Sequence, residues 1–219
     1  MEQTPGSGFG RATLPTADPV RTTLVTSAAV ALLAAGAASA ALAAPARNPD
    51  PKTLVLRLAD VPSGFARASG SYVSNAQAAR EEREPLAKYT AWGRMNGYAA
   101  VYNRSASAGS NPKGLSSVES AASVYRAASG AHAAFAHWVA ATPQSGGKVT
   151  SVAVGSPLGD ESHAFRVEST NGGVSVLEYV VGWRTGRSVG TVTANGTGID
   201  PKSIVDFAKK QQTRMRAAR

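Results

Sequence analysis

The sequence predicts an α+β domain: a twisted antiparallel sheet of about six to seven strands, covered by a central helix over residues 129–141 and a C-terminal helix over residues 201–217. Three observations support this prediction. Residues 173–194 alternate like an apolar hairpin, further alternating segments are joined by short Gly, Pro and Asn turns, and two stretches carry apolar residues at helical spacing. Short turns between alternating segments are typical of antiparallel sheets.

The hairpin is the element against which the rest of the domain is expected to pack. Its first arm alternates Leu177, Tyr179, Val181 and Trp183 on one face with Val176, Glu178, Val180 and Gly182 on the other. Both faces are largely apolar, which is typical of a central strand covered on two sides. Burying the four larger residues stabilises the fold by roughly 1.5–3 kcal/mol each, against about 1–2 kcal/mol of backbone ordering per residue. The arm therefore needs a wider sheet and a covering helix.

The other strands are predicted from alternation and β-prone composition. They are expected within residues 66–73, 92–102, 148–154 and 162–168. Residues 115–126 are preferred as a strand, although their Ala and Ser content also suits a helix. The charged segment 76–89 is predicted to be a solvated, helix-prone connection, because a run of mixed charges usually marks an exposed face.

Each predicted helix has an apolar stripe and a capping residue. In the central helix Ser129 suits the N-cap, and the stripe consists of Ala131, Ala134, Phe135, Trp138 and Val139. Asp200 followed by Pro201 opens the C-terminal helix. Its stripe consists of Ile204, Phe207, Ala208, Gln211 and Met215. Both stripes can cover the sheet.

Residues 1–43 have the layout of an export signal. An uncharged stretch from Thr22 to Ala46 contains an apolar run that is preceded by arginines and followed by small residues. The A-x-A spacing favours cleavage after Ala43, with Ala40 as the second choice. An uncleaved anchor is the alternative, since about 20 apolar residues span a bilayer. Residues 44–52 are then a linker, and residues 53–219 form a single α+β domain.

Composition limits the chemistry of the chain. It carries a formal net charge of +9 and has an isoelectric point near 10.2, which favours anionic polymers and lipid head groups as partners. The absence of cysteine excludes disulfides, thiolate metal sites, thiol nucleophiles and lipid attachment through cysteine. An exported, cysteine-free chain rich in Ala, Gly and Arg is typical of a bacterium.

No catalytic or metal-binding motif is recognisable. His132 and His137 stand about 140° apart on one helix and cannot hold a metal together. His163 is interpreted as a polar edge residue, with a hydrolase site around it as a minor alternative. Three glutamates, Glu119, Glu168 and Glu178, fall on predicted strands, where solvent-facing positions are favoured over a facing acid–base pair. We expect no enzymatic activity, no metal and no cofactor.

Three short stretches carry a resemblance to known proteins: residues 56–65, residues 72–75 and residues 157–161. In these stretches the chain resembles a group of uncharacterised exported bacterial proteins, whose plan is similar to PsbP-like and mycobacterial LpqN-type lipoprotein folds. The resemblance covers most of residues 53–217, and it implies a non-enzymatic envelope or extracellular module with a pocket between sheet and helix. The chain differs from the lipoproteins because it lacks their acylated cysteine.

The sequence thus predicts an exported, non-enzymatic module of the bacterial cell envelope or extracellular space that binds a ligand or an envelope protein. The ligand is expected beside Trp138, Tyr179 and Trp183. The alternative is adhesion to an anionic cell-wall polymer or lipid surface through the basic C-terminal helix, whose cations are Lys209, Lys210, Arg214, Arg216 and Arg219. Nucleic acid is not expected as a partner, because no exposed aromatic residues are interleaved with these cations.

Overall fold

The computed structural model describes residues 48–105, 114–144, 148–171 and 174–218. The predicted export signal, its cleavage sites and Arg219 lie outside these residues. The elements in chain order are α1 (Pro51–Leu54), β1 (Phe65–Val73), α2 (Asn75–Glu81), α3 (Leu86–Ala91), β2 (Arg94–Arg104), β3 (Gly114–Tyr125), α4 (Ala128–Ala141), β4 (Lys148–Val152), β5 (Glu161–Asn171), β6 (Val174–Thr185), β7 (Ser188–Thr197) and α5 (Pro201–Ala217). A short 3-10 turn, Leu58–Asp60, follows α1.

The seven described strands form one open antiparallel sheet in the order β1-β2-β3-β7-β6-β5-β4. The prediction of an antiparallel α+β fold with a central and a C-terminal helix is therefore confirmed. Residues 115–126, for which the sequence favours a strand over a helix, coincide with β3 up to Tyr125, and this strand pairs with both β2 and β7. The predicted hairpin is β6 and β7, joined by a tight turn at Gly186 and Arg187.

One face of the sheet, here called the core face, is covered by α5 and by the segment that includes α1. The even-numbered residues of β3 from Val118 onward, the even-numbered residues of β7 and the odd-numbered residues of β6 point to it. Trp183, Val118 and Val192 are fully buried there, together with Ile204 and Ala208 of α5. The amphipathic stripe of α5 thus buries the residues that its helical spacing predicted.

Hydrogen bonds pair several of the buried polar groups on the core face. Ser120 Oγ donates to Gln211 Oε1 at 2.6 Å and accepts the amide hydrogen of Leu56 at 2.9 Å. Gln211 Nε2 in turn donates to the carbonyl of Ala121 at 2.8 Å. These bonds connect α5, β3 and the segment after α1, so they fix the position of both coverings on the sheet.

The opposite face, here called the cleft face, is covered only in part. Helix α4 lies over one side of it, and the pair α2 and α3 lies over the other. The segment predicted as a solvated connection therefore has a packed side, because Ala78, Ala79 and Tyr89 are buried. Its charged residues conceal this pattern in the sequence. Between the two helical walls the sheet remains accessible.

Candidate binding cleft

The space between the helical walls is a cleft of about 330 Å³. Its floor is the cleft face of β2, β3 and β7, and its walls come from α2 and α3 on one side and from α4 on the other. An outer hollow of about 570 Å³ shares Glu81, Glu82, His137 and Trp138 with the cleft. Small-molecule sites typically have about 300–1,000 Å³, so the cleft has room for a small ligand.

Arg94 attaches the α2 wall to the sheet. Its guanidinium is buried and donates to the carbonyl of Val73 at 3.0 Å, to Asn75 Oδ1 at 2.9 Å and to Ser123 Oγ at 3.1 Å. The guanidinium lies over Gly97, where a β-carbon would stand 2.1 Å from it. Burial lowers the pKa of Arg94, yet its three acceptors hold the group firmly. Arg94 is therefore a structural cation and is not free to bind an anion.

Helix α4 is attached to the sheet by Trp138 and to the other wall by His137. The Trp138 ring lies over Gly182 and meets Phe165 edge-on, with 5.6 Å between ring centroids. His137 Nε2 lies 2.8 Å from Glu84 Oε1, and its ring centroid lies 5.2 Å from that of Trp92. The hydrogen bond from Lys88 lowers the pKa of Glu84, and the nearby His137 lowers it further. The two walls are thus joined across the outer end of the cleft.

The aromatic side chains contribute apolar surface to the cleft through their edges. The faces of Trp92 are occupied by His137 and by Lys88, whose Nζ lies 5.9 Å from the Trp92 ring centroid. Trp138 stacks on Phe135 with 5.7 Å between centroids and covers Gly182. Little π-face is therefore left for a ligand, and the walls act mainly as hydrophobic surface.

Two carboxylates lie on the cleft face of the sheet. Glu119 of β3 lines the cleft floor, and Glu178 of β6 lies on the same face beyond β7. Glu119 is accessible to solvent, although the surrounding protein excludes part of the bulk water. This desolvation raises the pKa of Glu119, with a smaller contribution from Glu81. Desolvation likewise raises the pKa of Glu178, and Glu119 adds to the effect.

The three residues predicted to line one ligand groove do not meet. Trp138 lies at the cleft, but Tyr179 and Trp183 point to the core face, where they are 7% and 0% exposed. The expected groove beside all three is corrected accordingly: α4 and α5 cover opposite faces, so an α4 residue and odd-numbered β6 residues cannot share a pocket. The sequence reasoning missed Glu81, Trp92 and Thr191 as cleft residues.

The basic C-terminal helix is partly engaged within the chain. Arg214 Nη2 lies 2.7 Å from Asp60 Oδ2, and Lys210 Nζ donates to the Asp60 carbonyl at 2.6 Å. Lys209 and Arg216 are exposed. Of the cations predicted to meet an anionic surface, two therefore bind the 3-10 turn, two face solvent, and Arg219 is not described.

The histidines lie apart from the cleft floor. His132 Nδ1 is 2.8 Å from Glu161 Oε2, and His163 Nε2 is 2.9 Å from Ser151 Oγ while its ring packs on Phe165. Among the described residues no carboxylate contacts His163, and no group of three or more His, Asp or Glu side chains is arranged to hold a metal. Glu168 points to the core face and pairs with Arg166 at 3.1 Å.

Comparison with known proteins bears on the fold. No protein-family model matches the chain, and no curated protein matches it. Among solved structures, the chain is similar to the extracellular domain of PknH from Mycobacterium tuberculosis, with a TM-score of 0.56 and 11% sequence identity over 79% of this chain and 100% of that one. Within the described residues, no helix has both the length and the apolar character that crossing a membrane requires.

At 11% sequence identity, the similarity to this extracellular domain shows a shared fold and nothing about function. The predicted resemblance to exported bacterial proteins is confirmed at that level: the α+β fold of this chain also occurs in an extracellular bacterial domain. The narrower similarity to PsbP-like and LpqN-type folds stays a prediction.

Proposed function

We propose that the protein is an exported, non-enzymatic binding module of the bacterial cell envelope or extracellular space, and that it holds a small organic ligand in the cleft. The observation that carries this proposal is the sheet face left open between two joined helical walls. A covering helix would normally remove such a face from water. Here Ala121 and Thr191 remain only half-buried at the floor.

Export is supported by the signal-like layout of residues 1–43 and by the similarity of the fold to an extracellular domain. We expect the protein recovered from outside the cytoplasm to begin at residue 44. Intact-mass measurement of the protein purified from the culture medium and from the envelope fraction tests this. A full-length mass in the envelope fraction would favour the anchor, and a wholly cytoplasmic protein would contradict export.

The cleft is favoured over the basic helix as the binding surface. Lys210 and Arg214 already bind Asp60, so the cationic patch on α5 that remains for an anionic surface is reduced. Anionic vesicles are the appropriate probe for the alternative. Salt-sensitive retention that is abolished in Lys209→Gln/Arg216→Gln would support adhesion through α5 instead of binding in the cleft.

Obstruction of the cleft tests the binding proposal directly. Thr191→Phe places a large side chain on the cleft floor, and Ser69→Phe places the same side chain on the exposed edge strand β1, outside the cleft. We expect small molecules that co-purify with the wild-type protein from envelope extracts, identified by mass spectrometry, to remain with Ser69→Phe and to be lost from Thr191→Phe. No retained small molecule, or equal retention by both variants, would contradict the proposal.

A further inference from the structure

The acidic residues of the chain divide into two groups. Nearly all those described accept a hydrogen bond or ion pair: Asp50 from Tyr72, Asp60 from Arg214, Glu81 from Gln77, Glu82 from Tyr89, Glu84 from Lys88, Asp160 and Glu161 from Arg184, Glu168 from Arg166, Asp200 from the amide of Lys202 and Asp206 from Lys202. Within the described part of the chain, Glu119 and Glu178 are the exceptions. Lysines and arginines outnumber carboxylates in this protein, 23 to 14. A shortage of cations therefore does not explain why these two glutamates have no partner among the described residues.

The sheet register brings these two carboxylates to the same place. Glu119 pairs with Thr193, Thr193 pairs with Val180, and Glu178 lies two residues from Val180 on the same strand. Side chains two residues apart share a face, so Glu119 and Glu178 both project from the cleft face. One strand separates their backbones, by about 10 Å across the sheet, and the two-residue offset adds about 7 Å along the strands, so the two Cα atoms lie about 12 Å apart. A single cationic group between them can approach both side chains.

The basic side chains near the cleft are either held by other groups of the protein or lie outside the inner cleft. Arg94 is held by three acceptors at the end of the cleft, whereas Lys88 and His137 bind Glu84. Arg83 belongs to the outer hollow and not to the inner cleft. The floor therefore presents negative charge beside apolar walls, in a protein whose overall charge is positive.

We propose that the cleft binds a small organic cation, an amine or guanidinium attached to an apolar body, with its charge beside Glu119 and Glu178 and its body against Trp92, Trp138 and Tyr89. This inference rests on the proposed function, and it adds the chemical class of the ligand. A cation relieves the repulsion between the two partly desolvated carboxylates, and the apolar body removes the aromatic edges from water. Neutral and anionic ligands of the same shape cannot relieve this repulsion between the carboxylates, so they are expected to bind more weakly.

Three ligands with the same cyclohexyl body but different charges test whether binding depends on ligand charge. They are cyclohexylmethylamine, cyclohexylmethanol and cyclohexanecarboxylate. Each is titrated at neutral pH into the ¹⁵N-labelled protein while the indole N–H signals are followed. The chain contains three tryptophans, of which Trp92 and Trp138 line the cleft and Trp183 is buried on the core face. We expect saturable shifts of the Trp92 and Trp138 signals with the amine, an unchanged Trp183 signal, and binding of the alcohol that is weaker by about tenfold or more.

Variants assign the charge to the two glutamates. Glu119→Gln and Glu178→Gln are each expected to weaken amine binding by about fivefold or more, whereas Glu168→Gln, on the core face, leaves it unchanged. Equal binding of the alcohol and the amine would overturn the charge assignment but leave ligand binding in the cleft standing. Absence of any saturable shift, or equal weakening by Glu168→Gln, would overturn the inference. The retention experiment with Thr191→Phe does not depend on ligand charge and so tests the proposed function separately.

Discussion

The indole ring of Trp138 lies so close over Gly182 that a β-carbon on residue 182 would stand 2.5 Å from the ring. Because Trp138 also packs on Phe135 and Phe165, its rigid ring cannot move aside without losing those contacts. Glycine at this position therefore sets how closely α4 approaches β6. The same contact determines where one wall of the cleft stands.

Gly182→Ala is accordingly expected to lower the free energy of unfolding by about 1–3 kcal/mol, as overpacking typically does. Urea denaturation of the variant and the wild type measures the loss. Trp138→Ala provides the control, because removal of the ring removes the clash. Gly182→Ala should then lower the free energy of unfolding much less in the Trp138→Ala background than in the wild type. Additive losses would contradict the assigned contact.

Ser120→Ala removes the hydroxyl that joins β3 to Gln211 of α5 and to the amide of Leu56. Both partners are buried and would lose their hydrogen bond, so we expect a loss of about 2–4 kcal/mol in the free energy of unfolding. Ser117→Ala is the matched control on the same strand, because Ser117 is half-buried and accepts only a 3.2 Å bond from Asn195. Chemical denaturation that gives equal losses for the two variants would contradict this account.

Local patterns predicted much of the fold. The alternation in β6 indicated a strand covered on both faces, and α4 and α5 cover its two faces as expected. The Asp200 cap accepts the amide of Lys202, as an Asp-Pro helix start implies. These features depend on residues that are close together in the chain, so their physical causes are visible in the sequence.

The composition of the site could not be predicted in the same way. Which helix covers which face depends on the path of the whole chain, and for that reason the sequence pattern alone places Trp138 beside residues of the opposite face. The common face of Glu119 and Glu178 depends on pairing between β3 and β7, some 75 residues apart in sequence, and on the register of β7 with β6. Charge in segment 76–89 masked the apolar side that forms the other wall.

Asp60→Asn tests the link between α5 and the 3-10 turn. Partial burial opposes ionisation, but hydrogen bonds from Arg214 and the Arg57 amide outweigh it and lower the pKa of Asp60. A lowered folded-state pKa stabilises the protein above the unfolded pKa of about 3.9, and this stabilisation is lost as the pH falls through the folded value. We therefore expect Asp60→Asn to cost about 1 kcal/mol at pH 7 and progressively less below pH 4.

Thermal unfolding at several pH values measures this dependence. Asp206→Asn is the control, since the Asp206 and Lys202 side chains are 45% and 77% exposed and exposed pairs contribute little. We expect no resolvable change for that variant. A loss for Asp60→Asn that persists undiminished at low pH would show that the ion pair with Arg214 is not its cause.

Glu119→Gln and Glu178→Gln are expected to stabilise the protein at neutral pH, whereas Asp60→Asn is expected to destabilise it. Desolvation, together with repulsion from Glu81 or Glu119, raises the pKa of both carboxyls in the folded protein. The folded state then binds protons more readily than the unfolded state, so ionisation at neutral pH destabilises the fold and protonation on acidification relieves it. Either glutamine variant should therefore raise the melting temperature at pH 7 by about 1–2 °C, with a smaller gain near pH 4.

Scanning calorimetry at the two pH values, with Glu168→Gln as the control, measures this effect. Because Glu168 is paired with Arg166, its replacement should not stabilise the protein. Stabilisation by Glu119→Gln together with loss of amine binding would show that the two carboxylates lower the stability of the fold and serve the ligand, a combination typical of binding sites. A lower melting temperature for both cleft variants at pH 7 would show instead that the carboxylates stabilise the sheet, and their assignment to a cationic ligand would then lose its energetic basis.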